Sequence, residues 1–220
     1  MAARKLTVEF IGTFFLVFAV CMAAGQGQPL AALAIGSTLM VMVFAGGHIS
    51  GAHYNPAVSV AVFLRGRLSR AELGPYIVAQ LAGATAAALV VRVLGYDAAN
   101  SAHVAGVGKM LIVEFLFTFA LAYVVLNVAT ARGTADNSFY GLAIGFTVAA
   151  GAISVGAVSG GAFNPAVAFG AMVDGLLAWK HIWLYPLANI AAAAAAAKVF
   201  LYIQESEKPT GDQQAADAEV

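Results

Sequence analysis

The residues of this chain that could do chemistry come in matched pairs. Ser50-Gly51-Ala52-His53-Tyr54-Asn55-Pro56-Ala57-Val58 is nearly repeated as Ser159-Gly160-Gly161-Ala162-Phe163-Asn164-Pro165-Ala166-Val167. An Asn-Pro pair reads as a helix start: Asn caps the backbone, and Pro takes the first helical position, where its missing N–H loses nothing. Each asparagine oxygen then accepts helix N–H groups and leaves an NH2 group to donate elsewhere. Each start also points about half a positive charge along its axis. A second pair, Glu9 and Glu114, opens the related stretches Glu9-Phe10-Ile11-Gly12-Thr13-Phe14 and Glu114-Phe115-Leu116-Phe117-Thr118-Phe119. Two symmetric acids fit two symmetric structural demands. Each is expected to accept backbone N–H groups from the irregular segment before an Asn-Pro start, in preference to serving as a proton relay. His48 and His53 flank the first box, but their spacing in a non-helical loop, with no nearby Cys or Asp, makes a poor metal site. Nucleophile–base pairs, paired catalytic carboxylates and cofactor loops are missing, which excludes an enzyme and implies no cofactor.

The elements that must position these pairs are apolar. The chain is 61% hydrophobic and 10% charged, with mean hydropathy +0.85, where soluble domains carry about 25% charged residues. This places it among integral membrane proteins, with the lipid bilayer as its surroundings. Zero formal net charge and the lack of a basic patch exclude nucleic acid as a partner. Its one cysteine, Cys21, forms no intrachain disulfide and reads as a small packing residue. Six apolar stretches are long enough to cross: Leu6–Gly25, Leu30–Gly47, Ala71–Leu94, Leu111–Ala131, Ser138–Val158 and Lys180–Ile203. The first is nearer the length of a span than that of a signal peptide.

Two apolar pieces, Pro56–Leu64 and Pro165–Leu177, are too short to cross alone. A ten-residue helix covers ~15 Å, half of a ~30 Å hydrocarbon core. Two such half-helices entering from opposite faces would meet near the midplane. Ile77-Val78-Ala79-Gln80-Leu81-Ala82 is echoed more weakly by Pro186-Leu187-Ala188-Asn189-Ile190-Ala191. The chain therefore reads as two repeats, 1–105 and 106–203, with a polar tail over 204–220. Each repeat has an odd number of spans, so the second inserts upside down, an arrangement that puts a permeation or binding site at the midplane. Arg4, Lys5, Arg65, Arg67, Arg70, Arg132 and Lys208 share one side, which places both termini in the cytoplasm by the positive-inside rule. The tail from Gln204 onward reads as solvated and poorly ordered, and Arg132 with Asp136 as a solvated turn. His103 and His181, near the other face, carry no functional argument.

The paired Asn-Pro-Ala boxes, the stretch His48-Ile49-Ser50-Gly51-Ala52-His53-Tyr54-Asn55-Pro56-Ala57-Val58 and the opening Glu9-Phe10-Ile11-Gly12-Thr13-Phe14 together resemble the aquaporin, or major intrinsic protein, family over roughly residues 6–203. The resemblance implies six transmembrane helices plus two re-entrant half-helices in a 3+3 inverted repeat. It also implies a homotetramer in the cell (plasma or inner) membrane, with passive conduction of water or small neutral solutes. The pore boxes are then Asn55, Pro56, Ala57, Asn164, Pro165 and Ala166, with His53 on the pore wall. Alignment on the boxes puts the selectivity filter at Ile35, Ala152, Gly161 and Val167. Here the chain departs from the family pattern, which usually places arginine after the second box, with an aromatic, a histidine and a small residue at the other positions of water-selective members. The expected constriction is wide and apolar. Ala168 lacks the aspartate common in the glycerol-conducting branch, while Phe169-Gly170 resembles the water branch. A secondary transporter built on broken-helix repeats, or a poorly conducting structural membrane protein, are the alternatives.

Overall fold

The computed structural model describes residues 2–96 and 105–207, and all regular elements among them are helical. His103 and Lys208 lie outside the described residues. Eight α-helices follow in order: α1 (Ala2–Ala19), α2 (Ala31–Ser50), α3 (Pro56–Leu64), α4 (Arg70–Val93), α5 (Val107–Thr130), α6 (Tyr140–Ser159), α7 (Pro165–Asp174) and α8 (Leu184–Ile203). Six segments are long and apolar enough to span a bilayer, the first running Ala2–Ala24 because a π-helical turn, Val20–Ala24, continues α1. The first helix begins before Leu6 because Arg4 and Lys5 are good helix formers, and Lys5 is held there by Glu72 at 2.7 Å. Glu72 in turn accepts from Ser69 N and Oγ at the start of α4.

The short helices α3 and α7 are the half-helices, and α7 stops at Asp174, short of Leu177. Gly175 adopts φ +98°, the left-handed cap that ends helices, and bonds back to Ala171. The repeats interlock: α3 packs mainly on α8, and α7 mainly on α4, so each half-helix leans on the last span of the other repeat. Helices α2 and α6 meet where Gly36 and Gly145 face each other, and a Cβ on Gly36 would fall 2.6 Å from the Gly145 carbonyl. Small residues at such crossings let backbones approach, which is how helices associate where lipid removes the hydrophobic drive between them.

The first turn of the tail differs from the sequence expectation; residues 208–220 lie outside the described residues. Glu205–Glu207 form a 3-10 turn docked on the helices, and Glu207 is buried at 3% exposure. A carboxylate is excluded from water only where it has partners, and Glu207 has two arginines.

Candidate functional site: two capped half-helices facing one another

Each loop before a half-helix is bent into a conformation it would not choose alone. Gly51, Ala52 and Tyr54 have φ of +87°, +50° and +50°, and Gly160, Gly161 and Phe163 have +89°, +64° and +48°. A non-glycine residue in this region costs roughly 1–3 kcal/mol. The buried acids hold the bends. Glu9 Oε1 accepts from Ser50 Oγ at 2.7 Å and His53 N at 2.9 Å; its Oε2 accepts from Tyr54 N at 2.7 Å and Gln80 Nε2 at 2.8 Å. Glu114 Oε1 accepts from Ser159 Oγ at 2.7 Å and Ala162 N at 3.1 Å; its Oε2 accepts from Phe163 N at 2.8 Å and Asn189 Nδ2 at 3.0 Å. Tyr76 and Tyr185 hydroxyls donate to the Ser50 and Ser159 carbonyls. Every member of one set has a counterpart in the other.

The motif's aromatic residue anchors the loop sideways. Tyr54 is 1% exposed, its hydroxyl donates to the Met42 carbonyl, and its ring fills the space left by Gly12 and Gly46. Phe163 sits likewise against Gly151, whose Cβ would fall 2.6 Å from the ring. These glycines are required for close approach rather than for backbone freedom.

The asparagines join the two starts. Asn55 Oδ1 accepts from Ala57 N at 2.8 Å, and Asn164 Oδ1 from Ala166 N at 2.9 Å and Val167 N at 3.3 Å. Asn55 Nδ2 donates to the Phe163 carbonyl at 2.9 Å, and Asn164 Nδ2 donates to the Tyr54 carbonyl at 2.8 Å. The sequence reading left the whole NH2 group free; the structure commits one of its two hydrogens to the opposite loop. Half-helix α3 is thereby tied, start to start, to α7.

A cavity of about 490 Å³ is lined by Asn55 and Asn164 together with Ile35, Ala152, Gly161 and Val167, the four aligned positions. Its wall includes pairs related by the repeat, Leu16 with Leu121, Ile35 with Ile144 and Val58 with Val167. Among the described residues that line it, none carries a charged side chain. A second cavity, about 610 Å³, opens toward Lys5, Arg67 and Arg132. His53 and Val125 line both cavities. The His53 ring, 7% exposed, lies within 3.1 Å of Ser59 Oγ through Nδ1 and packs on Tyr76. His48 lines the second cavity as well. Among the described residues, nothing donates to the carbonyls of Gly51, Ala52, His53, Gly160, Gly161 and Ala162. These leave a row of acceptors along the loops.

Residues 1–202 match the major intrinsic protein family. The chain belongs to that family. It is 35% identical to Aquaporin NIP1-2 of Arabidopsis thaliana, over 94% of this chain and 76% of that protein. It is also 35% identical to Nodulin-26 of Glycine max, over 95% of this chain and 81% of that protein. The X-ray structure of the aquaglyceroporin from Plasmodium falciparum has the same fold, with TM-score 0.78 and 22% identity over 91% of this chain and 96% of that one. As a major intrinsic protein, the chain is a multi-pass membrane channel for water or small solutes, and not an enzyme. Sequence reasoning missed Tyr76, Tyr185, Leu16 and Leu121. The tyrosines stand in matching places of the two repeats, which was the available signal; the leucines sit in apolar runs that do not show which face meets the cavity.

Proposed function

We propose that the two cavities form one pore, whose wide and apolar constriction lies at Ile35, Ala152, Gly161 and Val167. The observation that carries this reading is Val167: it stands in the cavity wall where the family usually places arginine, and no charged side chain lines that cavity among the described residues. Asn55 and Asn164 hold two positive helix ends against each other, which orients water and opposes cations and hydronium. The unpaired loop carbonyls supply acceptors to a permeant's O–H or N–H groups, while Val167 and Ile35 face its apolar side. Small neutral solutes with donors and some apolar surface pass alongside water. Strongly hydrated ions find no compensation for the shell they lose.

In this reading residues 1–105 and 106–203 are the two halves of the pore, both termini are cytoplasmic, and the subunit works in a homotetramer. The side assignment rests on Arg65, Arg67, Arg70 and Arg132. Replacing Val167 by Arg tests the filter. In proteoliposomes, V167R is expected to keep water flux and lose most glycerol and urea flux. An unchanged range of solutes would place the constriction elsewhere, with His53 and Val125, shared by both cavities, as the next position to substitute.

A further inference from the structure

The end of α3 carries a cation that the capped starts do not use. Arg65 is 3% exposed and caps the half-helix after Leu64. Its Nε donates to Thr130 Oγ1 and its Nη2 to the Thr130 carbonyl, both at 2.9 Å. Its Nη1 donates to the Glu207 carbonyl at 3.1 Å and its Nη2 to Glu207 Oε2 at 2.5 Å. The guanidinium also lies over the Phe200 ring of α8, 5.3 Å from its centre. The other carboxylate oxygen, Oε1, accepts from Arg132 N at 2.6 Å.

The Glu207 side chain thus joins the end of the first half-helix to the start of the α5–α6 loop, while Arg65 itself reaches the end of α5 through Thr130. Both Arg65 and Glu207 are buried, so removing Glu207 leaves the Arg65 guanidinium out of water without its carboxylate. The loop that Glu207 holds is also a wall of the second cavity, which Ala131, Arg132, Asp136 and Asn137 line. At the matching position of the second repeat stands Asp174, of opposite sign, so the arginine of this tie is not repeated there. The tie is therefore peculiar to one end of the molecule, the end where Lys5 and Arg132 lie.

We infer that Glu207 is a positioning residue for permeation: it makes the first turn of the tail a working part of this mouth, holding the Arg132–Asn137 loop clear of the solute path. The inference rests on the reading that the second cavity belongs to the pore. With Glu207 in place, the Arg132 amide has a charged acceptor and the loop is drawn toward α3. Without it, that amide loses its acceptor and the two guanidinium groups lose their carboxylate, so the Arg132 end of the loop is released toward the cavity it borders, while Thr134 and Asn137 still hold α5 carbonyls.

The test uses the full chain in proteoliposomes with three variants. Glu207→Gln puts an NH2 group against either Arg65 or the Arg132 amide. Glu207→Asp keeps the charge on a shorter arm. Arg132→Pro removes the loop's donor while leaving the buried pair, and Ala131, at φ −79° and ψ +141°, already has the backbone that precedes proline. E207Q and R132P are expected to lower water and glycerol permeability per channel by the same factor, several-fold, with their ratio unchanged. Amides 131–137 should exchange hydrogen faster, and E207D should fall between wild type and E207Q. Faster exchange with unchanged flux would overturn the inference, as would a changed water-to-glycerol ratio. Should E207Q fail to fold, R132P decides: unchanged flux rejects the role. If V167R alters solute range while R132P leaves flux untouched, this inference fails alone; if neither alters flux, the pore reading fails with it.

Discussion

Glu114→Gln removes a charge while keeping nearly the same shape. The carboxylate meets two donors on each oxygen, Ser159 Oγ with Ala162 N and Phe163 N with Asn189 Nδ2. Whichever way the amide turns, its NH2 faces one of these pairs. The gentler orientation points it at Ser159, whose hydroxyl can rotate to accept, and orphans the Ala162 amide. In the other orientation Phe163 N loses its acceptor and Asn189 Nδ2 keeps only Thr118 Oγ1. A buried donor without a partner costs roughly 1–3 kcal/mol, so the loss is roughly 2–3 kcal/mol once the strained Ser159 contact is included. For a chain of this size each kcal/mol moves the midpoint by roughly 2–4 °C, giving a fall of roughly 4–12 °C. Thermal unfolding in detergent measures it, and Glu9→Gln should behave alike, because Glu9 meets the same number of donors. An unshifted midpoint for both variants, with altered proton flux, would refute the structural role and restore a proton relay.

Gly46→Ala should displace the Tyr54 ring, which occupies the space a Cβ needs, and reduce both stability and water flux; Gly74→Ala, where the added Cβ meets nothing, is the control. Asn164→Ala removes the cap for Ala166 and Val167 and the bond to Tyr54, so roughly 1–2 kcal/mol of stability should be lost and proton leak, read with a pH dye inside vesicles, should rise. The tail turn gives a pH dependence of known sign. The Arg132 amide holds the Glu207 carboxyl below the usual carboxylate range; burial opposes this and the Arg65 side chain adds to it. Arg67 and Arg132 add positive charge around Arg65, and Glu205 sits in the same turn. A lowered folded value means the tie contributes fully above about pH 4.3, the unfolded value, and is lost only as pH falls through the folded one. Exchange protection at 131–137 should be flat from neutral pH down to mild acid and fall below it; a midpoint near neutrality would show that another group controls the loop.

Much of the fold could be read because the informative residues are local and doubled. The Asn-Pro starts mark both half-helices, and Pro56–Leu64 has the same limits in sequence and structure. The other half-helix ends sooner than its apolar run, because Gly175 turns the backbone at Asp174-Gly175, a stop signal that the apolar Leu176-Leu177 beyond it obscures. That Glu9 and Glu114 should face backbone donors follows from their symmetry; that Gln80 and Asn189 complete each set does not, since an amide in a span has many possible neighbours. The Arg65–Glu207 tie was the hardest to see. Its members lie 142 residues apart, each among polar neighbours that read as solvent-facing, and only the packed structure shows both buried.

Flux through the purified channel is the most direct measurement. Stopped-flow light scattering on proteoliposomes, run with water, glycerol and urea beside a trapped proton-sensitive dye, reads the constriction and the barrier together. The expected result is rapid water flux with glycerol and urea also passing, no proton leak, and loss of glycerol and urea flux in V167R. Vesicles that admit water while excluding both solutes would contradict a wide apolar filter at Val167.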